Sequence, residues 1–114
     1  MITVEKLKDM KYENPVIIEP PTGALERLGK ALAKATKEGR GERTLADLQI
    51  TFFNADSPFP GTKNTQTYAC IETGSGGEPL ISGYAAWRPQ GPPGEPGVEL
   101  YDCYEVANEI NTLT

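Results

Sequence analysis

The sequence predicts an α+β domain in which one amphipathic helix packs on an antiparallel β-meander of about four strands. A short N-terminal helix and strand precede this unit. Two observations predict the class. Beyond residue 47, apolar and polar residues alternate as in half-buried strands. Before it, apolar residues recur at helical spacing, at Leu25, Leu28, Leu32 and Ala35. A chain of 114 residues fits a single compact domain over residues 1–114.

The first half of the chain predicts a helix, a strand and a longer helix. Thr3 can cap a helix over residues 4–11. Residues 16–18 favour a short strand, which two consecutive prolines close. Residues 23–38 predict the long helix, and Gly39 is its stop signal.

The second half predicts three further strands, over residues 48–53, 67–73 and 80–88. The last two flank a glycine-rich turn and predict a hairpin. Residues 98–104 are rich in strand formers, so we expect a fourth strand there and a short helix over residues 106–113. A helix is the alternative for this segment, because it would place Leu100, Cys103, Ala107 and Ile110 on one face.

Charge divides the chain into two unlike halves. Residues 1–49 hold 9 Lys or Arg and 8 Asp or Glu, whereas residues 50–114 hold 2 and 8. The net charge of −5 therefore belongs to the second half. This division favours contact with a basic partner over direct binding of nucleic acid, which the acidic surface would repel.

The acidic and aromatic residues of the second half are the candidate partner-binding site. We expect it to comprise Glu99, Asp102, Glu105, Glu109, Phe59, Trp87 and Tyr101. On the predicted strand, Glu99 and Glu105 would share one face of the sheet, and Phe53 would join an outer apolar patch beside them. The equal alternative is a larger core, in which another element covers that face.

A second candidate surface is the basic face of the long helix. Its cations are Arg27, Lys30, Lys34 and Lys37. They could meet an acidic protein surface, including the acidic half of a second copy. A solvated helix face supported by pairs such as Glu26 with Lys30 is the simpler interpretation.

The composition does not predict catalysis or a cofactor. The chain has no histidine, so the usual general base and the commonest metal ligand are missing. Two cysteines alone predict no zinc site, and we expect Cys70 and Cys103 to be buried thiols. A carboxylate enzyme using Glu99 and Asp102 is a minor alternative. The charged start of the chain and the absence of long apolar runs predict a cytoplasmic protein without membrane contact.

The leading hypothesis is a small acidic, non-catalytic module that binds a basic protein. One concrete version is a viral inhibitor, encoded by a phage or mobile element, that occupies the basic cleft of a nucleic-acid-handling protein. An anti-CRISPR protein would be such an inhibitor. The alternative is an assembly subunit, a homo-oligomer that joins a basic helix to an acidic sheet face. No family motif is evident in the sequence.

Overall fold

A computed structural model describes residues 1–37, 43–56, 65–74, 76–83 and 98–113. The side chains of residues 36, 37, 65, 98–102 and 104 lie outside the description. The described elements are, in chain order, α1 Val4–Asp9, β1 Glu13–Ile18, α2 Ala24–Lys37, a 3-10 turn Leu45–Asp47, β2 Leu48–Asp56, β3 Thr65–Thr73, β4 Leu80–Ser82 and α3 Val98–Ile110. They form an antiparallel sheet in the order β1-β2-β3-β4 with helices packed on it, which confirms the α+β class.

The ends of the first two helices follow from local chemistry. The Thr3 hydroxyl accepts a hydrogen bond from the Lys6 backbone N–H at 3.2 Å, so the predicted cap of α1 is confirmed. Gly23 precedes α2 with φ +78, a backbone conformation that glycine adopts without steric cost. Helix α2 then runs to Lys37, within one residue of the predicted bounds.

The sheet register leaves β1 shorter than its neighbour. Strand β2 pairs with β3 over its whole length, from Leu48↔Thr73 to Asp56↔Thr65. Strand β1 pairs only with the second half of β2, and its last pair is Ile18↔Phe52. Two prolines follow β1 after one residue, and they cannot donate ladder hydrogen bonds, which explains why the pairing stops there.

The larger hydrophobic core lies between the sheet and helices α2 and α3. Phe52 and Ile71 enter it from the strands. The helices contribute one buried stripe each, Ala24, Leu28, Ala31, Leu32 and Ala35 from α2 and Cys103, Val106, Ala107 and Ile110 from α3. The α2 stripe was predicted, except that Leu25 is 37% exposed.

A second core covers the opposite face of the sheet. Successive strand residues point to opposite faces, so Phe53 turns away from Phe52 and packs under α1. The buried members of this second core are Ile2, Leu7, Phe53, Ala55 and Cys70, and Met10, Tyr12, Tyr68 and Ile81 pack at its margin. The molecule therefore has three layers, with α2 and α3 on one side of the sheet and α1 on the other.

The strand predicted over residues 98–104 is wrong, because this segment belongs to helix α3. The helical alternative placed Leu100, Cys103, Ala107 and Ile110 on one face. The last three are fully buried, and the side chain of Leu100 lies outside the description. Packing against α2 decides the outcome, since only a helix turns these three side chains toward the same neighbour. The four strands of the sheet consequently include the N-terminal strand.

Candidate protein-binding surfaces

Helix α3 carries the predicted acidic residues. Glu105 and Glu109 are exposed and lie one helical turn apart, about 6 Å along the axis. Glu99 and Asp102 belong to the same helix by their backbone, and their side chains lie outside the description, as does that of Tyr101. The acidic residues therefore lie on a helix, and the predicted acidic sheet face is wrong.

The acidic character of α3 is uninterrupted along the sequence. Residues 89–114 contain five Asp or Glu and no Lys or Arg. The exposed carboxylates Glu105 and Glu109 thus have no basic residue within their own helix to pair with. A basic protein surface would meet these two carboxylates without displacing an intrahelical ion pair.

The predicted aromatic part of the site has two outcomes. Phe59 and Trp87 lie outside the described residues. Phe53, expected in an outer patch, is fully buried instead, so for this residue the alternative of a larger core holds. Its ring centroid lies 5.2 Å from that of Tyr12 in an edge contact and 5.3 Å from that of Tyr68 in a stacked one. This cluster is part of the core beneath α1.

The basic face of α2 is engaged in local contacts. Lys30 Nζ lies 3.4 Å from the Glu26 carboxylate, which confirms the predicted pair four residues apart. Arg27 Nη1 donates to the Thr22 carbonyl at 3.5 Å. Lys34 is exposed, and the side chain of Lys37 lies outside the description. These contacts leave the face cationic while holding Arg27 and Lys30 close to their own helix.

The basic and the acidic helix are neighbours in one molecule. Helices α2 and α3 pack directly against each other on the same side of the sheet. The residues that follow α3 are also tied to the segment after α2, because the Arg43 guanidinium donates to the Leu113 carbonyl. Opposite charges therefore lie side by side on one layer rather than at opposite ends of the molecule.

Both cysteines are buried and free, as predicted. Burial is the main cause that raises the pKa of the Cys70 thiol to about 11, and the nearby Glu72 carboxylate adds to it. A thiol held protonated in this way is a poor nucleophile. Among the described residues, no group of three or more cysteine or carboxylate side chains is arranged to hold a metal ion.

An apolar cavity beside α2 was not predicted from the sequence. It has a volume of about 180 Å³ and is lined by Leu25, Leu45, Leu48 and Ile50. Helical spacing placed Leu25 in the core, yet it lies at the rim of this cavity. The sequence did contain a signal for this cavity, because the prolines after residue 18 make β1 shorter than β2. Strand β1 therefore ends before it can cover the start of β2.

None of the helices in the described ranges combines the length and the apolar character that crossing a bilayer requires. Comparison with known proteins adds no relative, since no protein-family model, curated protein or solved structure matches this chain.

Proposed function

We propose that this protein is a small acidic, non-catalytic module that binds a basic protein partner through helix α3. The observation that carries the proposal is the exposed pair Glu105 and Glu109 on the side of α3 away from its buried stripe. Cys103, Ala107 and Ile110 anchor the opposite side of the helix in the core. The two carboxylates therefore project from a packed helix, which lowers the ordering cost of binding.

The chemistry of α3 favours a cationic partner surface. Carboxylates one turn apart can each receive a Lys or Arg side chain, and the absence of basic residues within α3 leaves the helix itself with a net negative charge. Such a surface accelerates association with a positively charged protein and weakens as salt screens the charges. A nucleic-acid duplex would be repelled by the same charges.

A protein that handles nucleic acid is the partner class that this surface fits best. Its cleft is lined with cations that normally neutralise phosphates, and an acidic helix can occupy it instead. An inhibitor encoded by a phage or mobile element, such as an anti-CRISPR protein, would act in this way. The proposal places this activity in the cytoplasm, where nucleic-acid enzymes work.

Charge reversal tests the proposal against a matched control. Glu105→Lys with Glu109→Lys reverses two exposed acids four residues apart on α3. Glu5→Lys with Asp9→Lys makes the same change on α1, where both acids are also exposed and four residues apart. Each double variant raises the net charge of −5 by four units. A difference between them therefore reports position and not total charge.

The measurement is capture from a nuclease-treated lysate, followed by titration of the enriched protein at several salt concentrations. We expect a basic protein whose affinity falls at least about tenfold in the α3 variant and less than about twofold in the α1 variant. A short duplex DNA should displace this protein from the captured partner. Equal loss in both variants, or binding insensitive to salt, would contradict the proposal. Light scattering on the same samples tests self-association, and a concentration-dependent oligomer without another partner would favour the assembly alternative.

A further inference from the structure

Among the described strands, β2 has an open edge along its first four residues. Residues 48–51 pair with β3 on one side, and on the other side β1 ends at the pair Ile18↔Phe52. No described strand pairs with residues 48–51 on that side. In an antiparallel sheet, alternate residues direct their N–H and C=O groups away from a given neighbour. This stretch therefore presents backbone hydrogen-bonding groups that a further strand would satisfy.

One face of the open edge borders the apolar cavity. Leu48 and Ile50 project to the side of the sheet that holds Phe52, and they line the cavity of about 180 Å³ together with Leu25 and Leu45. Leu25 forms the α2 rim and is 37% exposed. The volume suits one apolar side chain of a strand laid along the edge.

The other face of the open edge is polar. Gln49 is exposed, and Thr51 is only 4% exposed. The Thr51 hydroxyl is buried and finds no hydrogen-bond partner among the described residues. A buried hydroxyl without a partner is unfavourable, so polar side chains of an added strand are favoured on this face.

The open edge, called the slot below, is short. Along β2 it begins where the 3-10 turn Leu45–Asp47 ends, and it stops at the pair Ile18↔Phe52. Four residues of strand span about 13 Å. A single extended segment of about four residues fits this length. Glu19 and Asp47 are exposed at the two ends, so cationic residues are favoured there.

We propose that the slot binds an extended segment of a partner protein, which adds to the sheet as a short strand beside residues 48–51. The segment places an apolar side chain in the cavity and polar side chains on the Thr51 side. Lys or Arg residues flank it and meet Glu19 and Asp47. This site lies on β2 and the N-terminal part of α2, so it stands apart from the acidic surface of α3 and does not depend on it.

Selection from a displayed library of random peptides of about ten residues, with the full chain as bait, tests the slot. We expect the enriched peptides to alternate apolar with polar residues and to carry basic ends. Hydrogen exchange should show that some amides of residues 48–51 exchange fast in the free protein and become protected by these peptides. Failure to enrich any peptide, or protection confined to another region, would overturn the proposal.

Two variants separate the cavity from general surface effects. Leu25→Lys puts a charge at the rim of the cavity and should lower the affinity for the selected peptides at least about tenfold. Val16→Lys makes a similar change at a residue that is 58% exposed, outside the slot, and should alter affinity less than about twofold. Equal effects of the two variants would contradict the assignment.

Hydrogen exchange of the wild-type protein tests the slot without any variant, so the test does not depend on whether a variant folds. If the amides of residues 48–51 exchange as slowly as those of residues 52–54 in the free protein, the edge is already covered and the proposal is wrong. Glu105→Lys with Glu109→Lys should leave peptide affinity unchanged, so failure here is distinguishable from failure of the α3 proposal.

Discussion

Cys70 shows how burial sets the chemistry of a single side chain. It lies in β3 within the core beneath α1, where its pKa is raised to about 11. We predict that native protein at pH 8 does not react with a thiol reagent such as DTNB at Cys70 or Cys103, because neither is exposed. Unfolding in guanidinium should expose both thiols, so that both react. Rapid modification of the folded protein would contradict the buried placement.

The same thiol makes stability depend on alkaline pH. In the unfolded chain Cys70 loses its proton near the ordinary pKa of 9.0, while the folded state holds it until about 11. The unfolded state is therefore stabilised first, and the free energy of unfolding falls between these values by as much as about 2–3 kcal/mol. Chemical denaturation of wild type and Cys70→Ala across this range measures the effect. The difference in unfolding free energy between the two proteins should be constant below pH 8, where the thiol is protonated in both states, and should change by this amount between pH 9 and 11.

Gly29 sets two opposing effects against each other. A Cβ built there would lie 3.0 Å from Leu45 Cδ1, which is a tight contact. Leu45 is only half-buried and borders two cavities, of about 180 and 290 Å³, so its side chain has room to move. We therefore predict that Gly29→Ala stabilises the protein by about 0.5–1 kcal/mol through helix propensity. Thermal unfolding checks the sign, and a lower Tm would show that Leu45 is held rigidly.

At the scale of single elements, α1 depends on its first cap. The Thr3 hydroxyl accepts a hydrogen bond from the Lys6 N–H at the start of the helix. Helix α1 in turn contributes Leu7 to the second core. We predict that Thr3→Ala lowers the free energy of unfolding by about 0.5–2 kcal/mol. Thr3→Ser keeps the hydroxyl and should cost much less. Equal losses in both variants would indicate that the methyl group, and not the hydrogen bond, is what matters.

Helix α3 is the element whose local signals and tertiary environment disagree. Val98, Tyr101 and Val106 favour strands, while the spacing of Cys103, Ala107 and Ile110 suits a helix. Local propensities differ by only about 1 kcal/mol per residue. Burial of three side chains against α2 and the sheet outweighs that difference, so packing selects the helix.

At the scale of the whole molecule, the sheet joins the two cores. Strands β2 and β3 contribute to both, through Phe52 and Ile71 on one face and Phe53 and Cys70 on the other. Loss of either core therefore exposes strands that the other core needs. We predict one cooperative thermal transition, with equal calorimetric and van't Hoff enthalpies.

Two core variants test this coupling. Leu7→Ala empties part of the core under α1, and Leu32→Ala does so under α2. Each variant should lower the free energy of unfolding by about 2–5 kcal/mol, and each should still unfold in one transition. Two separate transitions in either variant would show that the layers unfold independently.

Several features followed from local chemistry alone. The cap at Thr3, the helix over Ala24–Lys37, the β3–β4 hairpin and the two buried thiols depend on neighbouring residues and apolar periodicity. Such signals are readable in sequence because the interactions that create them lie within one or two turns or one hairpin. The acidic character of the second half was readable for the same reason, since charge belongs to each residue.

Only the tertiary structure decided where those charges and apolar groups lie. It placed Glu99, Asp102, Glu105 and Glu109 on a helix beside α2 and buried Phe53 under α1. It also left residues 48–51 of β2 without a described strand on one side, next to an apolar cavity. Each outcome depends on contacts between residues far apart in the chain. Composition and spacing do not encode which faces meet, so they could predict an acidic α+β domain, and packing alone determined its surfaces.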